Sequence, residues 1–159
     1  MSSSRAYHSA TLLNNGKVLV AGGYNASNQF LSSAELYDVA TNTWTAAASM
    51  NTARSSHSAT LLGDGRVLVA GGAGVGSAEL YDPSTNTWAT TGSMSQGRNE
   101  NTTALLPDGR VLVVGGQSPI TANAEAYDPT TGTFTLVAPM ASKRLWAGMT
   151  SLSDGRVLV

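Results

Sequence analysis

The sequence predicts an all-β chain in which one four-stranded antiparallel unit is used three times and then half of it a fourth time. Three observations lead there. The octet Gly65-Arg66-Val67-Leu68-Val69-Ala70-Gly71-Gly72 has an earlier copy, Gly16-Lys17-Val18-Leu19-Val20-Ala21-Gly22-Gly23, and a later one, Gly109-Arg110-Val111-Leu112-Val113-Val114-Gly115-Gly116. Its first five residues return as Gly155-Arg156-Val157-Leu158-Val159. Each copy is a short apolar run rich in β-branched residues, entered through a turn glycine and closed by a glycine pair, as a buried strand between sharp turns would be. Secondly, the spacing of the surrounding residues is kept from copy to copy. Thirdly, the segments between the apolar runs carry hairpin chemistry.

The elements follow in order. Each repeat opens with an Arg and a first strand near His57-Ser58-Ala59-Thr60-Leu61-Leu62. Asn14-Asn15-Gly16, Gly63-Asp64-Gly65, Pro107-Asp108-Gly109 and Ser153-Asp154-Gly155 then supply the positive φ of a short hairpin. The octet is the second strand. Ala78-Glu79-Leu80-Tyr81 marks the third and Thr87-Trp88-Ala89 the fourth, joined by turns such as Asp82-Pro83-Ser84-Thr85-Asn86. Short meanders repeating at this period predict the blades of a propeller, at about 5–50, 54–94 and 98–140, with a half blade at 144–159, all in one domain over 1–159.

Spacing locates the variation. From Arg to the first Gly of the pair is 17 residues in each full repeat, from Glu to the fourth-strand aromatic 9, and from that aromatic to the next Arg 10. Only the step from the second Gly to Glu changes: 12, 7 and 9. All length change therefore falls in the loop between strands two and three. In an up-down meander that loop shares an end with the link between blades, opposite the tight hairpins. Loops of variable length on a rigid scaffold are where binding usually resides.

A glycine pair ending strand two, followed by a Tyr and an aromatic seven residues apart (Tyr37/Trp44, Tyr81/Trp88, Tyr127/Phe134), resembles the kelch repeat. The variety with Arg-x-x-His-Ser-Ala-Thr-Leu-Leu before the glycines is similar to bacterial kelch-repeat proteins and to the central propeller of galactose-oxidase-like proteins. The resemblance implies a kelch-type β-propeller and, because kelch blades serve many functions, no single activity. Such propellers typically close with six or seven blades, and Met1 stands in phase with Met50, Met94 and Met140. The chain is therefore read as a fragment of a longer propeller, with the further blades of a longer parent chain among its expected partners.

Composition narrows the function. With 42% hydrophobic residues the chain can pack a core, while 12% charged residues is about half the usual share. A net charge of −1 gives no footprint for nucleic acid, and no apolar run is long enough to insert in a membrane. Low charge with abundant Ser, Thr, Asn and Gly suits an extracytoplasmic or cell-surface parent. The absence of Cys removes disulfides and thiolate ligands. The copper site of galactose-oxidase-like enzymes requires a tyrosine cross-linked to a cysteine, so no such cofactor is expected in this chain.

Charges recur with the repeat. Arg5, Arg54, Arg98 and Arg144 hold one position, and Lys17, Arg66, Arg110 and Arg156 another. Glu35, Glu79 and Glu125 hold a third; Asp38, Asp82 and Asp128, and Asp64, Asp108 and Asp154, two more. Only Lys143 and Glu100 lie off this pattern. Catalysis needs unlike groups converging on one point, whereas a residue repeated in every blade reads as scaffold, so neither catalytic nor metal-ligating residues are expected. A Glu in an apolar strand suggests that each is held by the repeat Arg or by backbone donors at a blade junction; the alternative leaves both solvated on outer strands. His8 and His57 share a first-strand position whose later occupants are Asn101 and Ala147. Two imidazoles can begin a metal site, but packing explains a repeated pair more simply.

Tyr37, Tyr81, Tyr127, Trp44, Trp88 and Phe134 are expected to pack between blades, and the three glycine pairs to allow close backbone approach. The binding candidates stand in the variable loops: Tyr24, Asn25, Asn28, Gln29 and Phe30 in the first, Gln117, Ile120 and Asn123 in the third. Aromatics beside amide and hydroxyl groups suit a protein surface or a glycan; the alternative is an ordinary flexible loop. Trp146 is a further off-pattern aromatic. The expected function is a non-catalytic binding module, and the alternative a fragment of a galactose-oxidase-like enzyme whose catalytic residues lie outside this chain.

Overall fold

The computed structural model describes residue 1, residues 3–152 and residues 154–159; Ser2, and Ser153 of the last expected hairpin, lie outside the described residues. Three four-stranded antiparallel sheets and one two-stranded sheet follow one another along the chain. The first holds β1 (Ser9–Leu12), β2 (Lys17–Ala21), β3 (Ala34–Asp38) and β4 (Thr43–Ala47). The second holds β5 (Ser58–Leu61), β6 (Val67–Ala70), β7 (Ala78–Asp82) and β8 (Thr87–Thr90). The third holds β9 (Thr102–Leu105), β10 (Val111–Val114), β11 (Ala124–Asp128) and β12 (Thr133–Val137). β13 (Thr150–Ser151) and β14 (Val157–Leu158) form the half blade. Within each sheet the strands pair in chain order, so each four-stranded sheet is a simple meander, the form of a propeller blade.

The period-two alternation of a strand explains how blades stack. β6 is buried on both faces: Val67 and Val69 pack with Leu13, Leu19, Ala34 and Met50 of the first blade, while Leu68 and Ala70 pack with Val111, Val113 and Tyr127 of the third. Tyr81 turns to the first blade and Leu80 to the third, so the middle blade lies between two apolar layers. Each Tyr faces its fourth-strand partner across the sheet, with ring centroids 5.0 Å apart for Tyr37–Trp44, 5.1 Å for Tyr81–Trp88 and 4.8 Å for Tyr127–Phe134. The second and third pairs also fill the junction with the preceding blade, where Trp88 donates its indole N–H to the Ala48 carbonyl at 2.8 Å. In the first blade Trp44 is exposed.

The repeated Arg and Glu are buried together. Arg54 meets Glu79 at 3.0 Å and donates to the carbonyls of Gly71 and Ser77 at 2.9 and 2.8 Å. Glu79 also accepts the backbone N–H groups of Asn51 and Thr52, at 2.6 and 3.0 Å. One ion pair thus ties the end of strand two to the link that leads in from the previous blade. Arg5–Glu35 repeats the contact at 3.0 Å, and Arg98–Glu125 repeats it with Ser95 donating its N–H to Glu125. The glycine pair adds the next joint, since the Gly72 N–H donates to the carbonyl of Arg98 in the following blade at 2.9 Å.

Arg144 of the half blade is exposed, and the other repeated charges serve turns. Arg66, Arg110 and Arg156 pair with Asp64, Asp108 and Asp154 inside the β1–β2-type hairpins. Asp38, Asp82 and Asp128 accept backbone N–H groups two residues on, closing the hairpins between strands three and four. These turns occupy one end of the blades. The variable loops occupy the other, bound to the inter-blade links: Tyr24 pairs in both directions with Ala6, and Gln117 with Asn99.

Candidate functional site

The first strands line up side by side, β1 next to β5, β5 next to β9 and β9 next to β13. Side chains cross between them: His57 Nε2 meets Ser9 Oγ at 2.8 Å, Asn101 donates to Ser58 Oγ at 2.7 Å, and Thr60 donates to Thr103 at 2.8 Å. His57 and Asn101 therefore belong to a seam that joins blades along the propeller's inner edge, while His8 at the same repeat position is exposed. Burial, with smaller contributions from the charges of Arg54 and His8, lowers the pKa of His57 to about 4. In the unfolded chain this imidazole titrates near 6.5. Between those two values the unfolded chain binds the extra proton, so stability should fall as the pH drops from about 6.5 towards 4. A His57→Asn variant, which copies the side chain found at Asn101, should show a flatter decline in thermal melts across that window.

Immediately before each first strand, one residue per repeat adopts a left-handed backbone: Tyr7 (φ 54), Ser56 (φ 54), Glu100 (φ 56) and Trp146 (φ 49). Their backbones form a relay around the inner edge. The Ser56 N–H donates to the Tyr7 carbonyl at 3.0 Å, Glu100 to Ser56 at 2.8 Å and Trp146 to Glu100 at 3.4 Å. The result is a collar with one side chain displayed per blade. Together with His8, His57 and Asn101 it lines a hollow of about 360 Å3, within the range of pockets that take small ligands. Tyr7 is 54% and Trp146 67% exposed.

The variable loops flank the collar. Tyr24 stacks on Tyr7 with ring centroids 5.4 Å apart and planes 19° from parallel. Phe30 bridges to Tyr24 through the backbone and is 52% exposed. Asn25 and Gln29 are occupied within the loop: Asn25 Oδ1 accepts the N–H groups of Ser27 and Gln29, and its amide donates to Gln29 Oε1. Asn28 closes that turn with φ 57. In the third blade Ile120 is 42% exposed and Gln117 half-buried, whereas the Asn123 carbonyl accepts from Arg98 at 3.1 Å and so belongs to the buried ion-pair cradle. Tyr24 and Phe30 are thus brought together beside Tyr7, while Gln117 and Ile120 stand two blades away. The collar position as a set was missed from sequence. The signal that could have found it is the residue two after each repeat Arg, which differs in every copy.

At the opposite end a hollow of about 390 Å3 is lined by Asn14, Asn15, Asp64, Arg66 and Asp82, whose charges are already engaged in turns. Among the described residues no three His, Cys, Asp or Glu side chains are grouped to hold a metal ion, and no helix is long and apolar enough to cross a membrane. His57 spends one nitrogen on Ser9, and the chain has no Cys, so the donors at the collar do not fit a copper centre of the cross-linked tyrosine type.

A family model described as the kelch motif matches residues 5–51 and 100–141, more than half of the chain. A solved fungal alcohol oxidase of the AA5 family, in complex with copper, is similar in structure with a TM-score of 0.70 and 23% identity. The similarity covers 84% of this chain and 30% of that one, so the chain spans under a third of the oxidase, and at this identity the likeness carries the fold alone. No curated protein sequence matches.

Proposed function

The chain belongs to the kelch-motif family, and from that premise we propose that it acts as a non-catalytic binding module for a protein or glycan partner. Contacts are made by the loops between the second and third strands, with Tyr24 and Phe30 as the principal apolar anchors and Asn28, Gln117 and Ile120 as further contacts. The observation that carries this reading is the confinement of length variation to one end of an otherwise constant scaffold, at the end where Tyr24, Tyr7 and Phe30 cluster. Aromatic anchors with adjacent amides are the composition from which binding hot spots are drawn. The repeated charges of the three full blades support a scaffold role, since they are engaged in blade joints and turns.

Binding of the purified chain to peptide and glycan arrays tests the reading. Saturable binding should fall at least tenfold in a Tyr24→Ser/Phe30→Ser variant and stay unchanged in Asp64→Asn at the opposite end. Equal loss in both variants, or no saturable ligand at all, would count against it.

A further inference from the structure

We propose that the collar hollow is a receptor for a guanidinium group, taking one arginine side chain of a partner peptide; this rests on the binding-module reading above and names the partner's chemistry. Three features converge on it.

The first is an unpaired acid. Every other carboxylate in the chain is held: three Glu by buried Arg, three Asp by hairpin Arg, and three Asp by turn N–H groups, with Lys17 beside Asp38. Glu100 makes no salt bridge among the described residues, and its Oε2 is buried without a hydrogen-bond donor. That oxygen lacks the donors it would have in water, while the residue as a whole is half-buried at the rim of the hollow.

The second is the charge of the lining. Glu100 is the only charged side chain among the residues that border the hollow, whereas Asn101 Oδ1 is turned against Gly71 of the preceding blade. A guanidinium is the complement of that carboxylate: five N–H donors in a planar fork, no acceptor, and a charge opposite to Glu100. An anion would meet Glu100 unfavourably, and a hydroxyl ligand would bring acceptors of its own.

The third is the pair of exposed aromatics. Tyr7 and Trp146 border the hollow with more than half of their surface open to solvent. Indole and phenol faces attract a cation, and a planar guanidinium also stacks on them, which selects Arg over Lys. Tryptophan in a left-handed backbone is a conformational outlier at a position where Asn or Gly would rest without strain.

The test titrates the folded chain with the capped tripeptide Gly-Arg-Gly and with the same peptide carrying citrulline, lysine or glutamate, followed by protein-observed NMR. The arginine peptide should saturate shifts at Tyr7, Glu100 and Trp146, and weaken as salt is raised. Glu100→Gln should weaken it at least tenfold and Trp146→Ala several-fold, with Asp64→Asn unchanged. Citrulline keeps the shape and loses the charge, so it should not saturate. Arginine binding that survives Glu100→Gln, or equal binding of citrulline, overturns the proposal. If the arginine peptide fails while array binding still depends on Tyr24 and Phe30, the guanidinium site falls and the loop reading stands. If arginine binding requires Glu100 while array binding ignores Tyr24 and Phe30, the site stands and the loop reading falls.

Discussion

Arg54→Ala is expected to destabilise the chain by about 3–5 kcal/mol, because it strands a buried carboxylate without its counterion. At this chain length that corresponds to a fall in melting temperature of roughly 10 °C. Arg54 and Glu79 are both fully buried, and the guanidinium also satisfies two backbone carbonyls. Arg66→Ala removes an ion pair of similar length at the surface and should cost under about 1 kcal/mol. Replacing both buried partners with apolar residues often restores stability elsewhere. Here it should not, since Glu79 also accepts two link N–H groups that an Arg54→Met/Glu79→Leu variant would leave unpaired. An unchanged melting temperature in Arg54→Ala would show that the pair does not hold the junction.

Gly71→Ala is expected to cost about 3 kcal/mol, from two sources. The residue has φ +73, where a side chain costs about 1–2 kcal/mol. The added Cβ would stand 2.6 Å from the Arg98 carbonyl and 2.8 Å from Asn101 Oδ1, so the neighbouring blade must shift, at about 1–3 kcal/mol. Gly65→Ala shares the backbone term, at φ +89, but meets nothing closer than Asn14 Nδ2 at 3.3 Å. Its penalty should stay near the backbone term alone. Urea unfolding of the two variants separates these contributions, and equal midpoints would mean that the blades do not meet at the glycine pair.

Much of the fold was legible because its determinants are local and repeated. The run 57–62 anticipated β5 (Ser58–Leu61), and Val67–Ala70 is β6 itself. Alternating apolar residues, turn glycines and Asx turns each act within a few residues, so the chain advertises them. The buried ion pairs were legible for another reason: a Glu inside an apolar strand needs a partner, and the repeat offers one Arg per blade. The collar was not legible as a set. Tyr7-His8, Ser56-His57, Glu100-Asn101 and Trp146-Ala147 carry no turn signature. Their left-handed conformation is imposed by hydrogen bonds from neighbouring blades, more than forty residues away in sequence. The charge census had separated Glu100 from the scaffold without revealing where it sits. In the first variable loop, Asn25 and Gln29 looked free because their mutual hydrogen bonds depend on how the loop closes.

The backbone relay from Tyr7 through Ser56 and Glu100 to Trp146 separates what each blade contributes to architecture from the side chain it displays. Duplicating, deleting or exchanging a whole repeat would keep the relay and change the order of letters read around the axis. A lineage could therefore rewrite the displayed surface by recombination between repeats, without new point mutations and without repacking a core. The tandem arrangement is in that sense a store of interchangeable surfaces.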